Sequence, residues 1–549
     1  MIKPVPRIWP ASFAVLTLLL GTPVSAQDKL AEIDKIFSWA TPTAPGCAVA
    51  VAQHGKVVVN RAYGSGDLER NVPLSPDSVF DAGSLVKQFV AASTLLLVEE
   101  GRLSLSEDVH KYIPELPDYG QKITLDHLLT HTSGIRDWTG MLPLTGGNVD
   151  ALTLTLRQRG LNFAPGEEWA YSNGGYVLLK EIVARTSGMS FAEFTRKRLF
   201  EPLGMKSTAY TNDLRAVVRN RALAYDKQFG QWRMAMLLDN DRGGGGALLS
   251  TTGDLLLWNE ALTSGRFGKF VSEKIQEPAM LSNGRKLGYA RGLFLDTNRG
   301  GRVVWHSGSA DGYKSMLSRF PEQALSIAIM CNSGDDTNRA AFARRLYDLF
   351  VPGTREAAAE ENAPAAVDVD LKSRQGLFFN ERTGEPLRLV VDGSRFRIAG
   401  GPALVPVDAD RFKRAGAALS FMSQDEFELR FLSPDQFELK SMEGKTTRYR
   451  RAQPYAPTAA DLQAFAGRFE SGEIGTVFQL VPGEDMLTIR LENAPDKTLE
   501  FRPVDRDTFQ RGGMTVRFLR DKDGKVVAFD YSNPVIRNVK FMRLNDRAN

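Results

Sequence analysis

Hydrophobic and polar positions divide the chain into regions with different periodicities. Ala11 to Leu20 is almost wholly apolar, follows Lys3 and Arg7, and is followed by the small residues Val24-Ser25-Ala26. This stretch falls short of the ~20 residues that a bilayer requires, so 1–26 reads as a secretory signal and implies a periplasmic or secreted protein without a transmembrane anchor. Residues 27–350 form the next region. A short helix is expected at 30–39, then a hairpin in which 46–53 and 56–63 flank the His54-Gly55 turn. An apolar run from Phe89 to Val98 predicts a buried helix, and helical patterns continue to about Asn259, interrupted by an extended insert at 138–150 and the Ala164-Pro165-Gly166 turn. Strands return at 288–295, 302–306, 313–319 and 325–331. Strands at both ends with helices between predict an α/β (α+β) unit whose single sheet is assembled from its two termini.

After Phe350 the pattern changes. Residues 351–367, rich in Ala, Glu and Pro, read as a linker. Beyond it lies an internal repeat: Leu371-x4-Gly376-x-Phe378 matches Leu462-x4-Gly467-x-Phe469, and Pro406 to Phe412 matches Pro503 to Phe509. Short alternating strands such as Phe427-Glu-Leu-Arg-Phe431 and Leu487-Thr-Ile-Arg490 predict two small antiparallel β-barrels or sandwiches, at 368–453 and 458–547.

Composition narrows the function classes. With 69 basic against 65 acidic residues the formal net charge is +4, and no basic stripe suggests nucleic acid as a partner. Cys47 and Cys331 are the only cysteines, which excludes a disulfide framework and leaves one bridge open in an oxidising compartment. His127 and His131 have the i, i+4 spacing of a helical zinc site. Leu128 stands where a metalloprotease needs Glu, however, and no third ligand is evident, so neither metal nor organic cofactor is expected. Gly243 to Gly246 lacks the Lys-Ser/Thr of a phosphate loop, and there is no Gly-x-Ser-x-Gly.

The candidate chemistry begins at Ser84-Leu85-Val86-Lys87, the only Ser-x-x-Lys in the chain. If a helix starts at Ser84, the three-residue step puts hydroxyl and amine on one face, one turn apart. Free N–H groups at the helix start would face a developing oxyanion. Tyr171-Ser172-Asn173 sits at a loop-to-helix junction. His306-Ser307-Gly308-Ser309 ends a strand, where Gly308 permits close backbone approach and the Ser309 N–H could complete an oxyanion hole with that of Ser84.

These three motifs, in this order, resemble the penicillin-recognising serine hydrolases, in the branch of class C β-lactamases, DD-carboxypeptidases, D-aminopeptidases and related esterases. The resemblance covers roughly residues 30–350 and extends to Leu128-Leu-Thr-His-Thr-Ser-Gly134 and to Pro165-Gly-Glu-Glu-Trp169. It implies a β-lactamase/transpeptidase-like domain with an antiparallel sheet and a helical subdomain. It also implies an acyl-enzyme on Ser84, with Lys87 or Tyr171 as base, Asn173 orienting a small peptide, amide or ester substrate, and His306 lining the opposite wall. In that fold the first and last strands are antiparallel neighbours, which would bring Cys47 and Cys331 to one edge. Many relatives carry Lys where this chain has His306, and the exchange resembles D-aminopeptidases and esterases more than efficient β-lactamases. A hydrolase followed by two β modules resembles the layout of bacterial D-aminopeptidases, whose extra domains are lipocalin-like; here they are expected to shape the entrance, act as spacers or contact cell wall. The reading is an exported serine hydrolase of D-residue peptides, with an esterase or a slow-turnover penicillin-binding sensor as alternatives.

Overall fold

The computed structural model describes residues 26–545 except 148, 214, 236–245, 299–300, 335–337, 352–368, 394, 400–402, 415–426, 442–445 and 454. All but the last residue of the expected signal sequence, nearly all of the expected linker and residues 243–245 of the glycine run lie outside the described residues. Six antiparallel strands form the sheet of the first region: β1 (Cys47–Gln53), β2 (Lys56–Tyr63), β3 (Phe294–Asn298), β4 (Gly301–Ala310), β5 (Tyr313–Phe320) and β6 (Leu325–Cys331), in the order β3-β4-β5-β6-β1-β2. The two ends of the region therefore meet at the β6–β1 pairing. Cys47 lies directly opposite Cys331, and the two form a disulfide with Cα atoms 4.0 Å apart. The Asn332 N–H bonds the Gly46 carbonyl at 3.1 Å, which makes the Cys47–Cys331 pair the close, non-hydrogen-bonded kind, with Cα separation near ~4.5 Å in ordinary sheets.

Strand alternation divides the core. Four helices matter here: α1 (Ala26–Ile36), α2 (Val86–Glu99), α3 (Asn173–Ser187) and α4 (Arg339–Phe350). Cys47, Val49, Val51, Ile327 and Ile329 project to one face and pack with Ile33 and Ile36 of α1 and Leu346 and Tyr347 of α4. Ala48, Ala50, Ala328 and Met330 project to the other and share a core with Phe89, Val90, Leu95 and Leu97 of α2. With both faces covered, the strands read as apolar runs instead of a half-polar alternation. Helix α2 is buried from Lys87 through Leu97, polar residues included.

Three local expectations differ. The strand expected over 288–295 begins only at Phe294, because residues 290–293 turn on themselves, with Ala290 N–H bonded to the Leu293 carbonyl, and Gly292 packs against the Lys87 carbonyl. The insert at 138–150 is not extended: it contains the short helix Trp138–Met141, capped by Asp137, and the tight turn Leu142–Leu144. The chain around Ser84 forms the 3₁₀ turn Gly83–Leu85, and α2 follows from Val86.

The repeat forms two closed antiparallel barrels of eight strands each, running from Gly376–Asn380 to Thr446–Arg451 and from Gly467–Ser471 to Ile536–Arg543. Their interiors are filled by aromatic side chains, and the repeated residues are among them: Phe378, Phe412, Phe469 and Phe509 are each fully buried. The repeated glycines have a matching reason. Arg451 of the last strand reaches past Gly376 to lie over the Phe378 ring at 4.6 Å, and Arg543 passes Gly467 to lie over Phe469 at 5.5 Å, so a side chain at either glycine would meet the guanidinium.

The second barrel is joined to the first region by more than apolar contact. Met141 and Leu144 belong to its apolar cluster. Arg136 pairs with Glu473 at 2.5 Å, both buried, and also donates to the carbonyls of Arg537 at 2.9 Å and Asn538 at 3.1 Å. Asn533 donates to the Gly140 carbonyl at 2.9 Å. Glu168 accepts from Arg382 of the first barrel at 2.9 Å and Arg537 of the second at 3.0 Å. The Gln510 to Gly513 turn lines a cleft between the barrels, whereas Glu473, Asn493 and residues 533–538 touch the first region. A buried charge that loses its partner costs about 3–5 kcal/mol. Glu473→Ala should therefore lower unfolding stability by about that amount in denaturant titrations, and deletion of 458–549 should destabilise the first region. Unchanged stability in both would show that the interface carries no energy.

Candidate active site

The turn that carries Ser84 is fixed from several sides. Asp81 accepts the Gly83 N–H at 2.8 Å, Ala82 donates to the Leu248 carbonyl at 2.7 Å, and Ser315 donates to the Ala82 carbonyl at 2.7 Å. Gly83 has φ +55°, and a Cβ there would lie 2.8 Å from the Ser309 nitrogen. A Cβ on Gly308 would collide with the Ala82 carbonyl. The two glycines thus let β4 pass directly over the turn, which puts the Ser309 backbone beside that of Ser84 on one cavity. That cavity, about 250 Å³, is also lined by Lys87, Trp138, Asn173 and Tyr176.

Lys87 donates to the Ser84 Oγ at 3.1 Å and to the Asn173 Oδ1 at 2.7 Å, and its Nζ lies 4.6 Å from the centre of the Tyr171 ring. The Ser84 hydroxyl also acts on the Tyr171 phenol, offsetting a part of the effect of burial. Burial pulls the Lys87 amine down to about 7, against the opposing pull of Asp137. Burial raises Tyr171 well above its ordinary range, so this phenol stays protonated in water at any ordinary pH. A neutral amine within hydrogen-bonding distance of a serine hydroxyl can accept its proton; a protonated phenol on the same hydroxyl can orient it or return a proton.

Several positioning residues were not singled out by sequence. Asp137 uses Oδ1 to cap the Trp138–Met141 helix and Oδ2 to accept both the Asn173 N–H at 3.1 Å and its Nδ2 at 2.8 Å, which aims Oδ1 of Asn173 at Lys87. In the sequence Asp137 looks only like a helix cap. His131 uses both ring nitrogens within the protein. It lies beyond the helix Leu125–Leu129 with φ +60°, accepts the Ser172 N–H through Nδ1 at 3.1 Å, contacts the Tyr289 hydroxyl through Nε2 at 3.1 Å, and packs tilted against the Tyr171 ring, 4.4 Å between centres. Burial holds it neutral, so Nδ1 can accept. His127 accepts the Thr124 N–H at 3.3 Å, and no cluster of metal ligands occurs among the described residues.

His306 is placed differently from expectation. It is buried behind Tyr171, within 6.2 Å of that ring and 4.9 Å of Phe294, with Nδ1 donating to the Ser307 carbonyl at 2.6 Å. Ser309 and Ala310 form the β4 wall of the cavity instead. Burial, with Lys87 nearby, drives His306 down to about 3 and keeps it uncharged. It cannot serve as a fixed cation for a substrate carboxylate.

Comparisons with known proteins identify the family. A penicillin-binding protein of Bacillus subtilis (strain 168) is 31% identical over 314 residues, 53% of this chain and 68% of that protein. The D-aminopeptidase of Brucella canis is 23% identical over 522 residues, 91% of this chain and 96% of that protein, so the likeness extends through both barrels. The structure of the octameric penicillin-binding protein homologue from Pyrococcus abyssi superposes with a TM-score of 0.51 at 22% identity, over 77% of this chain and 99% of that chain, a likeness of fold. The beta-lactamase family model matches residues 38–351, more than half of the chain, and the chain belongs to that family.

Proposed function

We propose that the protein is an exported serine hydrolase that cleaves amide bonds in peptides containing D-residues through an acyl-enzyme on Ser84. The observation that carries this reading is the Lys87 amine, buried, lowered to about 7 and 3.1 Å from the Ser84 Oγ. Neutral Lys87 takes the hydroxyl proton as Oγ attacks the acyl carbon, and the carbonyl oxygen becomes an oxyanion facing the N–H groups of Ser84 and Ser309. The lysine proton, passed directly or through Tyr171, then goes to the departing amine, and water releases the acyl group by the reverse order of proton transfers. Similarity to D-aminopeptidases supports the D-residue preference. The leader at 1–26 and the Cys47–Cys331 bridge support export to an oxidising compartment. An esterase is the second reading, favoured by the uncharged His306, which makes no demand for a carboxylate at that position.

An acyl phosphonate should add its mass to the peptide containing Ser84, and Ser84→Ala should remove both labelling and hydrolysis; labelling that survives the substitution overturns the assignment. If Lys87 is the base, it must be neutral to act, so kcat/KM should climb with pH through about 7 and fall below it. Lys87→Ala should lower turnover by about 10²-fold or more. Because Asp137 raises the Lys87 pKa, Asp137→Asn should move the acid limb to lower pH. A limb that stays in place in Asp137→Asn, or a profile flat from pH 5 to 9 in the parent enzyme, would count against Lys87 as base.

A further inference from the structure

A second buried amine reaches the cavity, and acylation chemistry does not use it. Lys180 lies two turns along α3 from Asn173, a seven-residue step that keeps both on one helix face. It is buried and lines the same cavity as Ser84 and Lys87. Its Nζ donates to the Tyr210 hydroxyl at 2.7 Å and lies 5.1 Å from that ring's centre. Tyr210 stands on the strand Ala209–Thr211, and Gly246, another cavity residue, packs against its hydroxyl. A sequence reading takes a lysine in the middle of a helix for a solvated one; here the helix face is internal.

The cavity also presents Val86, Val90 and Val177. At about 250 Å³ it lies below the ~300–1,000 Å³ of pockets for drug-sized ligands, so it suits one small residue better than a long chain. Asp311 is on its lining too, but is exposed, where water and salt weaken its field. Burial and the charge of Lys87 pull the Lys180 amine down to about 7. An anion that reaches Lys180 would oppose both influences, because its charge favours the ammonium form in a poorly hydrated site. His306, by contrast, is uncharged and off the wall.

We propose that Lys180, together with Tyr210, forms a carboxylate-binding subsite in the active-site cavity, so that the preferred substrates carry a carboxylate. This rests on the serine hydrolase reading and narrows its substrate class. The carboxylate has two sources: an acidic side chain on the acyl residue, or the free C-terminus of the leaving residue.

Two substrate pairs separate them. D-glutamyl against D-glutaminyl p-nitroanilide varies the acyl side, and D-alanyl-D-alanine against its C-terminal amide varies the leaving side. In the full-length enzyme the acid should exceed the amide in kcat/KM by about tenfold or more in one pair, and Lys180→Met should reduce that ratio at least tenfold, mainly through KM. Tyr210→Phe should reduce the same ratio by a smaller factor. For the unmutated enzyme, glutarate should slow labelling of Ser84 by a neutral phosphonate ester where glutaramide does not, a measurement independent of how the variants fold. Equal use of acid and amide in both pairs, a preference that Lys180→Met leaves intact, or equal protection by glutarate and glutaramide would overturn the subsite. Loss of all turnover and Ser84 labelling in the parent enzyme would instead overturn the hydrolase reading.

Discussion

The site depends on keeping an amine dry. Lys87 is set on a helix buried along nearly its whole apolar run, against Tyr171 and Tyr176, with the Asn173 amide as its close polar acceptor and the Asp137 carboxylate one residue further away. Had Asp137 contacted the ammonium directly, the charged form would be favoured and the base lost. Asn173 is therefore a spacer as well as a ligand: it passes on the orientation imposed by Asp137 while attenuating its charge. The small side chains Ala48, Ala50 and Ala328 on the inner sheet face let the helix Thr252–Thr263 settle close to the strands, and its Trp258 packs in turn against Phe89 of α2, 4.2 Å between ring centres.

Much of this arrangement is readable from the chain. Ser84 and Lys87 are one turn apart, so local geometry alone brings them together. Strands at both ends of one region point to a sheet closed by the termini, and the spaced repeat of Gly376-x-Phe378 and Gly467-x-Phe469 marks barrel interiors. What stays hidden is whatever depends on partners distant in sequence. Asp137 has the appearance of an ordinary cap, because the second use of its carboxylate involves Asn173. His131 gives no local sign of a left-handed backbone. Arg451 and Arg543 look like surface charges until barrel closure brings each onto a phenylalanine of the first strand. Lys180 is hidden for the same reason: burial of a helix face is decided by its neighbours and leaves no mark on the lysine itself.

The barrels have filled interiors, so they affect the hydrolase region through their outer surfaces and ends. The segment from Arg136 to Leu144 faces two ways. Asp137, Trp138 and Thr139 serve the site, while Arg136, Met141 and Leu144 are held by the second barrel. A wall of the cavity is thus shared property: Arg136, held by the barrel, is the chain neighbour of Asp137, which orients Asn173.

The Cys47–Cys331 bridge joins the first strand of the sheet to its last. In covalent terms residues 47 to 331 make a closed ring that contains Ser84, Lys87, Tyr171, Asn173 and Lys180. A single protease cut anywhere in the helical part of that ring opens a circle and releases no fragment, so every catalytic group stays tethered to the same sheet. A nicked molecule therefore keeps all the parts of its site at intramolecular concentration.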